Sequence, residues 1–192
     1  HIIRGVSDEA KTKLPQADRI GNTYVDLLSA STGNGSANFP QDNDGVIRRA
    51  PTAIYFDGAD HVYPSLVMSA VIDILGIKKD GGFDYDFENN LLNLIDSTDT
   101  IVRTIPIDDN GRMYVNYFGK FQTFYYLPYS YSMDPEMLPP DYWEGKVALV
   151  GASLPGLMDL RNTPVQETFA GVEIHANVMH SILQNDFVVV KD

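Results

Sequence analysis

Apolar positions recur at helical spacing in two stretches of the chain. Within 64–75, Leu66, Ala70 and Ile74, with Val67, Val71 and Leu75, form one face at i, i+4 and i+8, which predicts an amphipathic helix. Pro64 suits its first position, and Gly76 followed by Ile77 suits a left-handed cap with an apolar clasp. Within 171–184, Val172, Ala176, Met179 and Leu183 make a stripe that Ile174, Val178 and Ile182 widen. Shorter runs at 20–28, 46–49, 52–56, 101–107, 112–118 and 147–150 read as extended. The Asn110-Gly111 pair predicts a primed hairpin turn joining the segments on either side. Residues 2–18 read as a short helix, 29–40 as loop and 42–45 as a turn. A strand, a loop and a helix in succession at 147–184 predict an α/β fold: a mixed β-sheet with helices packed on it, in a single domain spanning 1–192.

Composition narrows the partners. The formal net charge is -12, which argues against nucleic acid and anionic lipid surfaces, since both require a basic face. Between 80 and 110 stand Asp80, Asp84, Asp86, Glu88, Asp96, Asp99, Asp108 and Asp109 against one base, Arg103, a pattern expected of a solvated edge. There is no cysteine, so disulfides, thiol catalysis and thiolate zinc sites are excluded. No apolar run approaches the ~18 residues of a membrane span. The turn Asp42-Asn-Asp-Gly45 lacks the glutamate that closes a calcium loop, so no metal or other cofactor is expected. Aromatic residues crowd 114–131, from Tyr114 to Tyr131, and predict a core layer followed by a packed loop.

The densest chemistry lies in Gly151-Ala-Ser-Leu-Pro-Gly-Leu-Met-Asp-Leu-Arg-Asn-Thr-Pro164 and Gly171-Val-Glu-Ile-His-Ala-Asn177. Enzymatic templates fail there on spacing. A nucleophile elbow needs glycine two residues after its serine, where Pro155 stands. No Gly-Lys-Ser/Thr follows the glycines, and Glu173, His175 and His180 lack the spacing of a helical zinc site. A hydrolase using Ser153 and His175, with Asp159 as third member, stays as an alternative. His175 lies beside the apolar stripe and reads as a core histidine, with pH sensing as its sharper role. Glu173 and Asn177 share a face at i, i+4, and Glu173 is favoured near a helix N-terminus. With Asp159 and Arg161 they are expected to brace the loop against the helix. Ligand contact is the second role.

Asp44-Gly-Val-Ile-Arg-Arg49, Tyr63-Pro-Ser-Leu66, Val115-Asn-Tyr117, Val147-Ala-Leu-Val-Gly-Ala152, the 159–164 segment and Gly171-Val-Glu-Ile-His-Ala-Asn177 occur in that order. Together they closely resemble the type 2 CHASE domain (cyclases/histidine kinases associated sensory extracellular). The resemblance implies an extracytoplasmic, non-enzymatic sensory domain of a bacterial membrane receptor, anchored by transmembrane helices outside this sequence. Its output module would be a nucleotide cyclase, a diguanylate cyclase or phosphodiesterase, or a kinase, and its signal is unspecified. It also implies a further α/β portion of the family domain, preceding residue 1. Residues expected to bind ligand or brace the fold are Arg48, Arg49, Tyr63, Asp159, Arg161, Glu173, His175 and Asn177, with Arg48 or Arg49 pairing an acid near the 151–164 loop. A homodimeric or purely oligomerising ectodomain, associating through the aromatics of 121–131, is the remaining alternative.

Overall fold

The computed structural model describes residues 1–21, 24–134, 136–153 and 159–190. Five helices are formed among them: α1 (Asp8–Lys13), α2 (Val25–Ala30), α3 (Leu66–Leu75), α4 (Tyr129–Ser132) and α5 (Gly171–Gln184). Ten short strands accompany them. β1 (Gln16–Ala17), β3 (Ala53–Phe56) and β4 (His61–Pro64) make one sheet, and β2 (Arg49–Pro51) pairs antiparallel with β8 (Arg112–Tyr114). β5 (Phe83–Asp86), β6 (Leu91–Ile95) and β7 (Ile101–Pro106) form an antiparallel meander, and β9 (Leu160–Arg161) pairs with β10 (Phe169–Ala170). The fold is α/β, built from several small sheets rather than one broad sheet.

Both periodic helices form where the pattern placed them. α5 occupies 171–184. α3 begins one residue after Ser65, whose Oγ accepts from the Met68 N–H at 3.3 Å, and stops at left-handed Gly76. Pro64 belongs to β4 instead of the first helical turn, because its carbonyl accepts from Ser36 N–H at 3.0 Å. The apolar faces of α3 and α5 meet in one core, where Val71, Ile72, Ile174 and Ile182 are fully enclosed. Each such side chain contributes about 1.5–3 kcal/mol of burial.

Three expected elements differ. The turn at 108–111 does not join a hairpin. It carries the chain from β7, in the meander, to β8, which pairs with β2. Of Asn110 and Gly111 only the glycine has positive φ, 66°, and Gly111 N–H bonds Asp108 C=O at 2.9 Å. Part of the extended run at 20–28 is helix α2, with Val25 and Leu27 exposed; no strand pairs with it among the described residues, and local bonds such as Leu28 N–H to Tyr24 C=O prevail. Asn22 and Thr23 of that run lie outside the described residues. The run at 147–150 is not a strand either: Val147 and Val150 are exposed and no ladder pairs them among the described residues.

Candidate functional site: a polar clasp on helix α5

Helix α5 buries a polar row as well as an apolar one. Glu173, Asn177 and Ser181 recur at i, i+4 and i+8, and each is at most 1% exposed. Within the helix, Asn177 Nδ2 donates to Glu173 C=O at 2.7 Å and Ser181 Oγ donates to Asn177 C=O at 3.0 Å. The outward side of the row is covered by residues 117–126. Asn177 Oδ1 accepts from Phe118 N–H at 3.0 Å. The Glu173 carboxylate accepts from the backbone N–H of Gln122 and Thr123, both at 2.9 Å, from that of Phe124 at 3.4 Å, and from the Tyr126 hydroxyl at 2.9 Å. Gln166 Oε1 adds an acceptor for Phe121 N–H at 3.2 Å.

This arrangement answers a definite need. A loop laid over a helix carries N–H groups that find no partner in an α-helix, whose own carbonyls are used. Burying them unpaired costs about 1–3 kcal/mol each. One ionised carboxylate offers about four acceptor positions, and bonds to a charged acceptor are worth about 1.5–3 kcal/mol each. Glu173 also stands in the first turn, where the helix dipole favours its charge. Burial and the adjoining Glu173 carboxylate both push the Tyr126 hydroxyl above its ordinary range, so it stays a donor.

Aromatic rings seal the clasp. Phe118 and Phe124 meet the His180 ring edge-on at 4.5 and 5.7 Å, and Phe121 meets Tyr126 at 5.4 Å. Tyr117 packs edge-on against Phe169 at 5.6 Å and donates to Ile47 C=O at 2.8 Å. The Ile47 N–H in turn bonds Asn162 C=O at 2.8 Å. Three separated motifs thus meet through Ile47: its own, the Val115-Asn-Tyr117 run and the 159–164 segment.

The start of α5 is built by close approach. Gly171 N–H donates to Asp159 C=O at 2.9 Å, and a Cβ at Gly171 would fall 2.5 Å from the Asp159 carboxylate. A Cβ at Gly151 would fall 2.6 Å from that of Val172. A side chain at Gly151 forces loop and helix apart, and one at Gly171 displaces the Asp159 carboxylate. Asp159 pairs with Arg161 at 3.2 Å, both about two-fifths exposed. His175 is buried against Phe39, ring centroids 4.4 Å apart, and its Nδ1 has no hydrogen-bond partner among the described residues. No hydrogen bond joins Ser153 to His175 among the described residues, so the hydrolase alternative lacks its central contact. Leu154, Pro155, Gly156, Leu157 and Met158, the middle of the motif-rich loop, lie outside the described residues.

Two sequence expectations are corrected. Among the described residues, the segment that Glu173 and Asn177 hold is 117–126 rather than 151–153 or 159–164, because their side chains leave α5 on the face that the aromatic segment crosses. Arg48 and Arg49 pair with acids of their own neighbourhood. Arg48 bonds Asp44 at 2.8 and 2.9 Å and Asp42 at 3.3 Å; Arg49 bonds Asp42 at 3.2 Å, approaches Asp108 at 3.7 Å and lies over the Tyr114 ring. The 42–45 turn doubles the chain back so that these acids reach the guanidinium groups first. Arg48 holds the exposed Asp44 carboxyl down at about 2. Tyr63 sits opposite Ile54 in the β3–β4 pair with its ring 6.0 Å from His61, and shares no hydrogen bond with the other seven candidates among the described residues.

Tyr126, Gln166 and the backbone of 122–124 were missed by sequence reasoning. The only signal was the aromatic crowding, which marks a packed segment without showing what holds it.

Residues 6–192 match the family model of the CHASE2 domain. The chain therefore belongs to the CHASE2 domain family, a sensory extracellular domain family of receptors. No curated protein and no solved structure matches it. Among the described residues no helix is long and apolar enough to cross a membrane, and no group of three or more histidines and acids is placed to hold a metal ion.

Proposed function

We propose that this domain is the extracytoplasmic sensor of a bacterial transmembrane receptor, non-enzymatic itself, whose output module is a nucleotide cyclase, a diguanylate cyclase or a kinase. Family membership supports the sensory role. The observation that carries the reading is the use of the polar residues: Glu173 and Asn177 are spent on holding the 117–126 segment to α5. In this reading Glu173 and Asn177 brace the domain. Asp159, Arg161 and His175 shape the start of α5, Arg48 and Arg49 line a separate concavity with Asp42, Asp44 and Arg112 that is open to a ligand, and Tyr63 stands apart on β4. A signal acts by favouring one of two positions of the aromatic segment on the helix.

The test is topological and functional together. A Tyr125→Cys variant of the membrane-bound receptor places a thiol at a side chain that is 80% exposed. A membrane-impermeant thiol reagent should label it on intact cells, beyond the background of the same receptor without the substitution. Deleting residues 6–192 should change the output activity. Labelling only after lysis, or unchanged output, overturns the proposal. A second reading, self-association, is favoured by the exposure of Tyr125, Tyr129 and Trp143, while Phe121 and Tyr126 are turned inward. A concentration-independent monomer in sedimentation removes it.

A further inference from the structure

Residues 31–41 cross the outside of the molecule; Thr32 bonds Asp73 at 3.3 Å and Asn34 accepts from the N-terminal amine at 2.9 Å, and from Ser36 onward the segment is fastened at two further points. The first is backbone: Ser36 N–H bonds Pro64 C=O at 3.0 Å and Leu66 N–H bonds Ser36 C=O at 2.8 Å. The second is the stacking of Phe39 on the His175 ring, at 4.4 Å and an interplanar angle of 45°. Between these points Ala37 and Asn38 are exposed.

His175 is an unusual fastening. It is 9% exposed, and its Nδ1 is wholly enclosed without a hydrogen-bond partner among the described residues. Every other side chain of the buried polar row on the same helix is satisfied. The elements packed around it offer little to stabilise a charge. The 31–41 segment contributes the Ala37 backbone and an apolar ring. α3 faces α5 with Val67, Met68 and Val71, while its acid, Asp73, is directed to Thr32 and His1. β10 contributes Phe169 and Ala170. Glu173 is engaged by 122–126. The acid that faces His175 is Asp159, which forms no ion pair with it and is bridged to Arg161.

We propose that residues 37–41 are a proton-operated flap: protonation of His175 breaks its packing with Phe39 and lifts the segment from α5, hinged at the Ser36 backbone bonds. A neutral imidazole tolerates an enclosed, unpartnered nitrogen. An imidazolium there is a buried charge with an unmet donor, and it moves toward water. Burial pushes His175 below its ordinary value of 6.5, and Asp159 and the Ala37 backbone offset this only in part. The sign follows. The closed form binds the proton less well than the open form, so closure is strongest above 6.5 and weakens as pH falls from there through the closed-state value.

Ring-proton NMR of Phe39 on the 192-residue chain tests this between about pH 7.5 and about pH 5. The Phe39–His175 ring contact should be lost in a step that follows the His175 titration, while the α5 amides stay protected from exchange. In His175→Gln the pH step should vanish. A step that persists in that variant, or is absent in the parent while His175 titrates, overturns the flap. Phe39→Leu gives an independent reading by NMR: the His175 titration midpoint should rise toward its ordinary value, and an unmoved midpoint refutes the coupling. Failure here leaves the receptor reading intact, since that rests on family membership and on the hold of Glu173 and Asn177 on 117–126.

Discussion

Two polar clusters of this domain use the same side-chain types to different effect. At the edge of β2, Asp42, Asp44 and Asp108 meet Arg48, Arg49 and Arg112 in a network of carboxylates and guanidinium groups that is half-buried, with Asp44 and Arg48 on its exposed side. On α5, a single carboxylate meets no cation; it takes backbone N–H groups and a phenol in a closed interior. In the first cluster water can replace the partners of the exposed Arg48–Asp44 pair, so those bonds are worth little. In the second nothing can replace Glu173, so the unmet donors carry the cost. The teaching is that burial and replaceability, not formal charge pairing, decide which polar group holds a fold together.

The largest test of that contrast is Glu173→Ala. It strands the N–H groups of Gln122 and Thr123, and at about 1–3 kcal/mol for each unmet donor a loss of about 2–6 kcal/mol in denaturant unfolding is expected. A loss under about 1 kcal/mol would place Glu173 with the surface pairs. Asn177→Ala should cost less, about 1–3 kcal/mol, for one stranded N–H at Phe118 and a lost bond to Glu173 C=O. Arg48→Ala should cost least, within about 1 kcal/mol, and the difference from the parent should shrink further in high salt. A larger, salt-independent loss would show that the network acts as a unit.

What could be read from the sequence follows what each element depends on. α5 and α3 were legible because an apolar stripe at 3.6-residue period is written in the side chains themselves. The 147–150 run carries the same β-branched signature as a strand, yet pairing needs a neighbour, and none stands beside it among the described residues. The reversal at 108–111 was legible as a turn but not as a crossing between sheets, since turn chemistry says nothing about which strand is paired next. At the site, Glu173 and Asn177 could be picked out by their spacing on one helix face. Their partners could not, because Gln122, Thr123 and Phe124 are bound through their backbone and any residues there would serve.

Thr52 is fully buried between β2 and β3. Its Oγ1 donates to Gly111 C=O at 2.7 Å and stands 2.9 Å from the Tyr85 hydroxyl, while its own carbonyl accepts from Ser65 N–H at 3.0 Å. It therefore touches the β2–β8 pair, the β5–β7 meander and the cap of α3 at once. Small separate sheets would ordinarily be free to open one at a time. With Thr52 bonded to all three, opening the β2–β8 pair or the meander breaks bonds that also hold its neighbours, so these elements are expected to open together.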